Sequence, residues 1–358
     1  MIKTGDVIGD RYEIICHAGK GGMQDVFKAK DIKLDLIVAL KTPLPGLETK
    51  RFSRSARIAA LVNHHNIAKT LDYIEENETV YLAEEFVEGE TLEDKLKHFG
   101  FLDPHIGAAV LHNLAKGIRA SHKAGVIHRD LKPSNIMATN GVNLSEIKIT
   151  DFGIATLTEQ YFDDLVRNGG DLTQSTSGTI RGALPFMAPE LMFRKAGEPV
   201  NFSADIWSLG AMMFRLLTGI YPFGVYLEAA ANVKTKNREG WPDFMTKNPQ
   251  FSSLSNELKD IIERCLDYVP ENRPTADELV SICESLCYLS TDRYLGNIER
   301  LIQGGVSGFI RGELDSFFSM ESVYGPNRPD TGDNQLVCYS TFPGTPKPRA
   351  HPVLVWKK

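Results

Sequence analysis

The chain has 358 residues, 42% of them hydrophobic and 24% charged, with a formal net charge of −6 and a pI near 5.9. That composition is ordinarily globular and the length exceeds one domain of about 100–200 residues, while the acidic balance gives no broad basic field, so nucleic acid is not an implied partner. No run approaches the roughly 18 apolar residues of a membrane span and Met1–Asp6 lacks an apolar signal core; five cysteines without a Cys-x-x-Cys pair argue against a disulfide framework or zinc site and for a reducing, cytoplasmic setting.

In chain order, Tyr12-Glu13-Ile14-Ile15 alternates as a strand and runs through Gly19-Lys20-Gly21-Gly22-Met23-Gln24-Asp25 into Val26-Phe27, which reads as strand, glycine turn, strand. Glycines let backbone N–H groups approach phosphates without a Cβ in the way, although a plain hairpin turn has the same composition. Val38-Ala39-Leu40-Lys41 is the next strand. Arg51 to His64 has apolar residues at helical spacing (Phe52, Ala56, Ala59, Ala60, Val62), and Arg51, Arg54 and Arg57 make a basic ridge. Strands follow over 67–74 and 79–87, joined by Glu75-Glu76-Asn77-Glu78. Helices over 91–98 and 104–122 carry Ile106, Val110, Leu111, Leu114 and Ile118 at the period of a buried face. His105, His112 and His122 on these helices read as surface or capping groups, not metal ligands.

The stretch His128-Arg129-Asp130-Leu131-Lys132-Pro133-Ser134-Asn135 fills every specified position of the kinase catalytic-loop pattern H-R-D-L-x-x-x-N. Alone, an Asp and an Asn around Pro133 could merely decorate a turn. Here Asp151-Phe152-Gly153 follows Asn135 by 16 residues, at the end of the alternating run Ile147-Lys148-Ile149, and supplies a second carboxylate. Phosphoryl transfer needs such a set: an aligned acceptor hydroxyl and metal ions that neutralise the phosphate oxygens.

On these residues the chain resembles the eukaryotic-like (Hanks-type) serine/threonine protein kinases, including their bacterial members. The resemblance implies an α+β fold of two lobes within residues 10–290, a small β-rich lobe over 10–87 and a larger helical lobe over 88–290, with a C-terminal extension over 291–358. It implies an enzyme that moves the γ-phosphate of Mg-ATP to protein hydroxyls. Asp130 would orient the hydroxyl and accept its proton, Lys132 would face the γ-phosphate, and Asn135 with Asp151 would hold magnesium. Lys41 would bind the α and β phosphates beneath a loop of Ala18, Gly19, Gly21 and Gly22, and Val26 with Ala39 would roof the adenine. In the run Val80 to Gly89, which resembles the lobe hinge, Glu84 would line the pocket and the backbones of Glu85 and Val87 would bond adenine. Asp205, in Asp205-Ile206-Trp207-Ser208-Leu209-Gly210, would anchor the catalytic loop, and Arg273 would pair with Glu190 of Ala188-Pro189-Glu190. Lys132-Pro133 is similar to the serine/threonine type of loop.

Besides Glu84, three positions depart from the family pattern. Gln24 replaces the third glycine of the loop, Ser55 stands where a helix glutamate usually pairs with the strand lysine, and Ala183 stands where a threonine usually bonds the catalytic aspartate. These leave open an alternative, a pseudokinase scaffold that binds nucleotide or a partner. Glu84 falls at a pocket position that is usually apolar, and a carboxylate there cannot stay ionised unpaired. Glu84 is therefore expected to pair with Lys41; a register shifted by one residue, or Glu48 reaching in from the preceding loop, are the other solutions. Between Asp151 and Glu190, Tyr161 to Val166 reads as a short helix and Asn168 to Asp171 as a turn. Thr173, Ser175, Thr176, Ser177 and Thr179 crowd the region where regulated kinases carry phosphates, with Arg129 as receiver, which implies autophosphorylation and self-association to achieve it in trans.

Beyond Leu289 the resemblance stops. Tyr294, Leu295, Ile298, Leu301 and Ile302 are spaced as an amphipathic helix capped by Gly304-Gly305. Six prolines then punctuate the apolar runs Leu336 to Tyr339 and Val353 to Trp356, read as an extended tail lying on the kinase or a partner, or as a disordered end.

Overall fold

Strand periodicity organises the first lobe. Six antiparallel strands, β1 (Val7–Ile8), β2 (Tyr12–Lys20), β3 (Gln24–Asp31), β4 (Leu36–Pro43), β5 (Thr70–Glu76) and β6 (Thr79–Glu85), form a sheet of order β1-β2-β3-β4-β6-β5. Alternate residues Tyr12, Ile14, Phe27, Ala29, Val38, Leu40, Tyr81 and Ala83 bury one face. On the other face Val80 and Leu82 pack with Phe52 and Ala56. By the same two-residue period Lys41 and Glu84 share that second face. The β4–β6 register sets Lys41 opposite Leu82 and Ala39 opposite Glu84, so Lys41 and Glu84 are diagonal cross-strand neighbours.

This computed structural model describes residues 2–21, 24–44, 52, 56–152, 182–194, 198–331 and 334–357. Gly22, Glu48, Arg51, Arg54, Ser55, Gly153, the expected helix over 161–166 and the hydroxyl cluster over 173–179 lie outside that set.

The second lobe is helical. Helix Leu92–Phe99 is capped by Thr91, and Pro104–Lys123 by Asp103, whose carboxylate accepts from the N–H groups of His105 and Ile106. Helix Ser203–Thr218 is buried almost all round, with Trp207 wholly inaccessible. Helices Ser252–Cys265 and Ala276–Ser285 complete the core. A small sheet, β7 (Gly89–Thr91), β8 (Ile136–Thr139) and β9 (Ile147–Ile149), carries the catalytic loop at its edge. Gly89 is required there, since a Cβ would meet the Ala138 carbonyl oxygen at 1.9 Å. The histidines on the helices are not surface groups. His112 is 9% exposed and bonds the Tyr288 hydroxyl at 2.9 Å, His105 accepts from the Leu289 N–H at 3.2 Å, and His122 bonds Asp205.

The C-terminal segment corrects the sequence expectation. Residues 294–302 form a strand, β10 (Tyr294–Ile302), not a helix, and with β11 (Ser307–Gly312), β12 (Ser316–Ser319), β13 (Leu336–Phe342) and β14 (Arg349–Val355) close a barrel of order β10-β11-β12-β14-β13. A bulge between Ile298 and Arg300 explains the misreading. The extra residue shifts the alternation, so Ile298 and Leu301, three apart, both face the barrel core and mimic helical spacing. The two apolar runs of the supposed tail are β13 and β14, paired Val337 to Val355 and Tyr339 to Val353. Pro352 fits in β14 because the ladder is interrupted there, between Tyr339 and Thr341.

The barrel packs on the helical lobe. Tyr324, Cys338 and Leu354 join the lobe's own core, and Trp356 stacks on His98 while its ring meets the edge of Phe99. Arg293, 4% exposed at its side chain, donates to Asp103 Oδ1 at 3.0 Å, so the residue entering the barrel also secures the helix cap.

Candidate active site

Lys41 and Glu84, 6% and 4% exposed, form an ion pair at 2.5 Å. The register is therefore the expected one, and the sheet itself supplies the carboxylate. Lys41 Nζ also donates to Asp151 Oδ1 at 2.6 Å, and Gln24 Nε2 donates to the same oxygen at 2.8 Å. Gln24, where the loop's third glycine was expected, thus spans from the glycine turn to the Asp-Phe-Gly carboxylate and is 4% exposed. Burial disfavours the Lys41 ammonium, but the Asp151 and Glu84 carboxylates outweigh it and hold the lysine charged. Burial pushes the Glu84 carboxyl above its ordinary value despite Lys41. For Asp151 burial pushes the same way, yet Lys41 and the Gln24 amide win and hold it below the ordinary range. One ammonium faces two carboxylates, and that surplus negative charge suits a divalent cation.

The other expected site residues of the first lobe are distributed as follows. Val26 lies opposite Lys41 in the β3–β4 register, and Ala39 is 9% exposed on the Lys41 face. Gly19 and Ala18 sit at the register shift between β2 and β3, and the Gly21 N–H closes the turn on the Gln24 carbonyl at 2.8 Å. The Glu85 side chain turns to Lys148 at 3.0 Å and its N–H donates to the Lys69 carbonyl. Val87 lies two residues beyond the end of β6, in the connection between the lobes.

The catalytic loop is held from beneath. Asp205, wholly buried, accepts from the backbone N–H groups of His128 at 2.8 Å and Arg129 at 2.7 Å, and from His122 at 2.9 Å. Burial pushes its carboxyl up, but the His122 bond and the neighbouring donors prevail and keep it below the usual carboxylate range. Arg129 and Asp151 both adopt positive φ of 66°, a conformation costing non-glycine residues about 1–3 kcal/mol and concentrated at functional sites. His128 Nε2 donates to the Thr150 carbonyl at 2.9 Å and its Nδ1 accepts from the Asp130 N–H at 3.3 Å, tying the loop to the start of the Asp-Phe-Gly segment.

Above these supports, Lys132 Nζ donates to both Asp130 carboxylate oxygens, at 3.0 and 2.8 Å. Asn135 Nδ2 donates to the Asp130 carbonyl at 2.8 Å and to Oδ2 at 3.0 Å. With its nitrogen committed to Asp130, Asn135 has its amide oxygen to offer a cation. Ala183, 4% exposed, brings no hydroxyl, and the Lys132 and Asn135 bonds orient Asp130 without one. No cluster of three or more His, Cys, Asp or Glu side chains able to hold a metal exists among the described residues. An amide oxygen, one carboxylate and nucleotide phosphates are nonetheless the donor set that magnesium takes, since it retains waters and uses few protein ligands.

The segment beyond is fastened by Arg273, which grips Glu190 with two nitrogens at 2.5 and 3.0 Å and also donates to the Ser203 carbonyl at 2.9 Å. Sequence reasoning anticipated this pair and the Asp205 anchor. It missed His122 as a partner of Asp205, because a helix histidine 83 residues away carries no local signal of that contact. It also missed the Gln24 bond to Asp151, although a long amide in place of a loop glycine was the visible sign.

Comparison with known proteins agrees. The protein kinase domain family matches residues 12–282. The serine/threonine-protein kinase pkn3 of Myxococcus xanthus is 31% identical over 282 residues, covering 77% of this chain and 49% of its own. PrkC of Bacillus subtilis is 30% identical over 282 residues (77% of this chain, 40% of its own). PknB of Mycobacterium tuberculosis is 31% identical over 284 residues (76% and 42%). The chain thus spans less than half the length of these relatives. With the match running through both lobes and every catalytic motif, this chain belongs to the protein kinase family.

Proposed function

We propose that the chain transfers the γ-phosphate of Mg-ATP to serine or threonine hydroxyls of protein substrates, with residues 10–87 and 88–290 as its two lobes and 291–358 as an appended module. The observation that carries this reading is Asp130 held by Lys132 and Asn135, with Lys41 already locked between Glu84 and Asp151. Asp130 accepts the hydroxyl proton and aligns the oxygen for attack. Lys132, beside Asp130, meets the transferring phosphoryl group, and Lys41 orients the α and β phosphates. Asn135 and Asp151 would hold magnesium, which when bound neutralises phosphate charge. Val26 and Ala39 cover the adenine, and Glu85 and Val87 present backbone groups to its edge. Five free thiols, three of them buried, support a reducing, cytoplasmic setting. No helix among the described residues is long and apolar enough to cross a membrane.

Transfer of labelled phosphate from ATP to a generic substrate tests the proposal. Asp130→Asn and Asp151→Ala should each lose at least about 10²-fold in rate while remaining folded. Near-normal turnover by a verified Asp151→Ala protein would refute it. The hydroxyls at 173–179 point to autophosphorylation between copies, because a phosphate there adds about −1.5 to −2 charge for arginine to hold. Mass spectrometry after incubation with Mg-ATP checks this, and an active enzyme with an unmodified segment counts against it.

A further inference from the structure

We propose that the C-terminal barrel binds single-stranded nucleic acid on the outer face of β11 and β12. Along these strands Ile310 and Phe318 point into the barrel core. The alternate residues Phe309 and Phe317 therefore stand on the outside, where packing does not require them. The registers set Arg300 opposite Phe309, Phe309 opposite Phe317, and Phe317 opposite Arg349. One row across four strands thus reads cation, aromatic, aromatic, cation. The two rings meet edge to face at 5.6 Å, Arg300 lies 4.8 Å from the Phe309 centroid, and Arg349 lies 4.4 Å from that of Phe317. Among the described residues neither arginine forms an ion pair, whereas nearby Arg311 and Lys347 are held by Glu299 and Asp315. The helical lobe meets the barrel through Tyr324, Leu354 and Trp356, at other positions.

The chemistry of the row selects the ligand. Bases stack on aromatic faces and on guanidinium planes irrespective of sequence, and the two guanidinium groups, which lie over the rings, add stacking surface and positive charge for the phosphates between those bases. A protein partner adding a strand would need a free sheet edge, and a closed barrel has none. The order β13-β10-β11-β12 is a Greek key closed into five strands, the OB-fold arrangement, whose second and third strands commonly form the binding face for oligonucleotides. The overall charge of −6 conceals the site. From Tyr294 to Lys358 the chain carries seven Lys and Arg against six Asp and Glu, so this module escapes the acidic excess of the remainder.

Fluorescence anisotropy of the full chain with labelled twelve-nucleotide oligothymidylate and oligouridylate tests the proposal. Binding in the micromolar range at low salt should weaken as salt is raised, and Phe309→Ala/Phe317→Ala should reduce affinity at least about tenfold. Phe309→Tyr/Phe317→Tyr should retain it, which separates stacking from mere folding, and phosphoryl transfer by every variant should match the parent. Where the double alanine protein fails to fold, Arg300→Glu/Arg349→Glu replaces it, with the same expected loss. Absence of binding at about 100 μM protein, equal affinity for duplex, or unchanged affinity in the substituted proteins would each overturn the assignment. A protein found on this face instead, with no oligonucleotide binding, would overturn it equally.

Discussion

Replacing Glu84 by glutamine tests the most unusual element of the site. In wild type the Lys41 ammonium is 2.5 Å from Glu84 and 2.6 Å from Asp151, with Lys41 and Glu84 buried and the Asp151 side chain 19% exposed. Removing a lone partner from a buried charge costs about 3–5 kcal/mol, but Asp151 remains, and the glutamine oxygen still accepts a hydrogen bond. The Lys41 hydrogen bond stays charge-assisted, so what is lost is the ion-pair attraction to Glu84, partly offset because a carboxylate no longer has to be buried, a net loss of roughly 1–2 kcal/mol in stability. The rate should suffer more. Lys41 is then drawn to Asp151 alone, and if it orients the phosphates as proposed, a displacement of about 1 Å costs on the order of 10²-fold. The assay is kcat/KM for ATP, with chemical unfolding as the control on stability. Because burial raises the Glu84 carboxyl above its ordinary 4.5, protonation of Glu84 should give wild type an acid limb above that value, with activity falling as pH drops through it. Glu84→Gln should lack that limb. Ser55→Glu in the wild-type background should change little, since Lys41 already has its carboxylate. A folded Glu84→Gln protein within about threefold of wild type, with the same pH profile, would refute the reasoning.

Asp205 has a depressed carboxyl, so its stabilisation is full above the ordinary 3.8 and is lost as pH falls below it; in unfolding measurements the gap between wild type and Asp205→Asn should narrow from pH 7 towards pH 3, and a constant gap would contradict the anchor. Arg293→Ala leaves Asp103 buried without its cation and should cost about 3–5 kcal/mol in chemical unfolding, with Arg293→Lys recovering part; a change below about 0.5 kcal/mol would show that the barrel's seam with the helix cap contributes little.

The sequence by itself determined the parts of this protein whose chemistry is local. The catalytic loop, the Asp-Phe-Gly segment and the strand bearing Lys41 were legible because each motif fills a few adjacent positions with residue types that phosphoryl transfer requires. Even the Lys41–Glu84 pair was legible, since a buried carboxylate and a buried lysine that each lack a partner leave few solutions in a two-residue strand period. The barrel was not legible. One bulge in β10 converts a strand's alternation into helical spacing at Ile298 and Leu301, and no local residue signals that. Closure depends on pairings such as Leu295 with Cys338, 43 residues apart, which only the folded chain brings together. The same distance hides the row of Arg300, Phe309, Phe317 and Arg349, because four scattered residues become one surface only when register aligns their strands. His122 beneath the catalytic loop and Gln24 against Asp151 are also tertiary facts: hydrogen bonds across 83 and 127 residues are set by how helix and sheet pack, not by the neighbours of either residue.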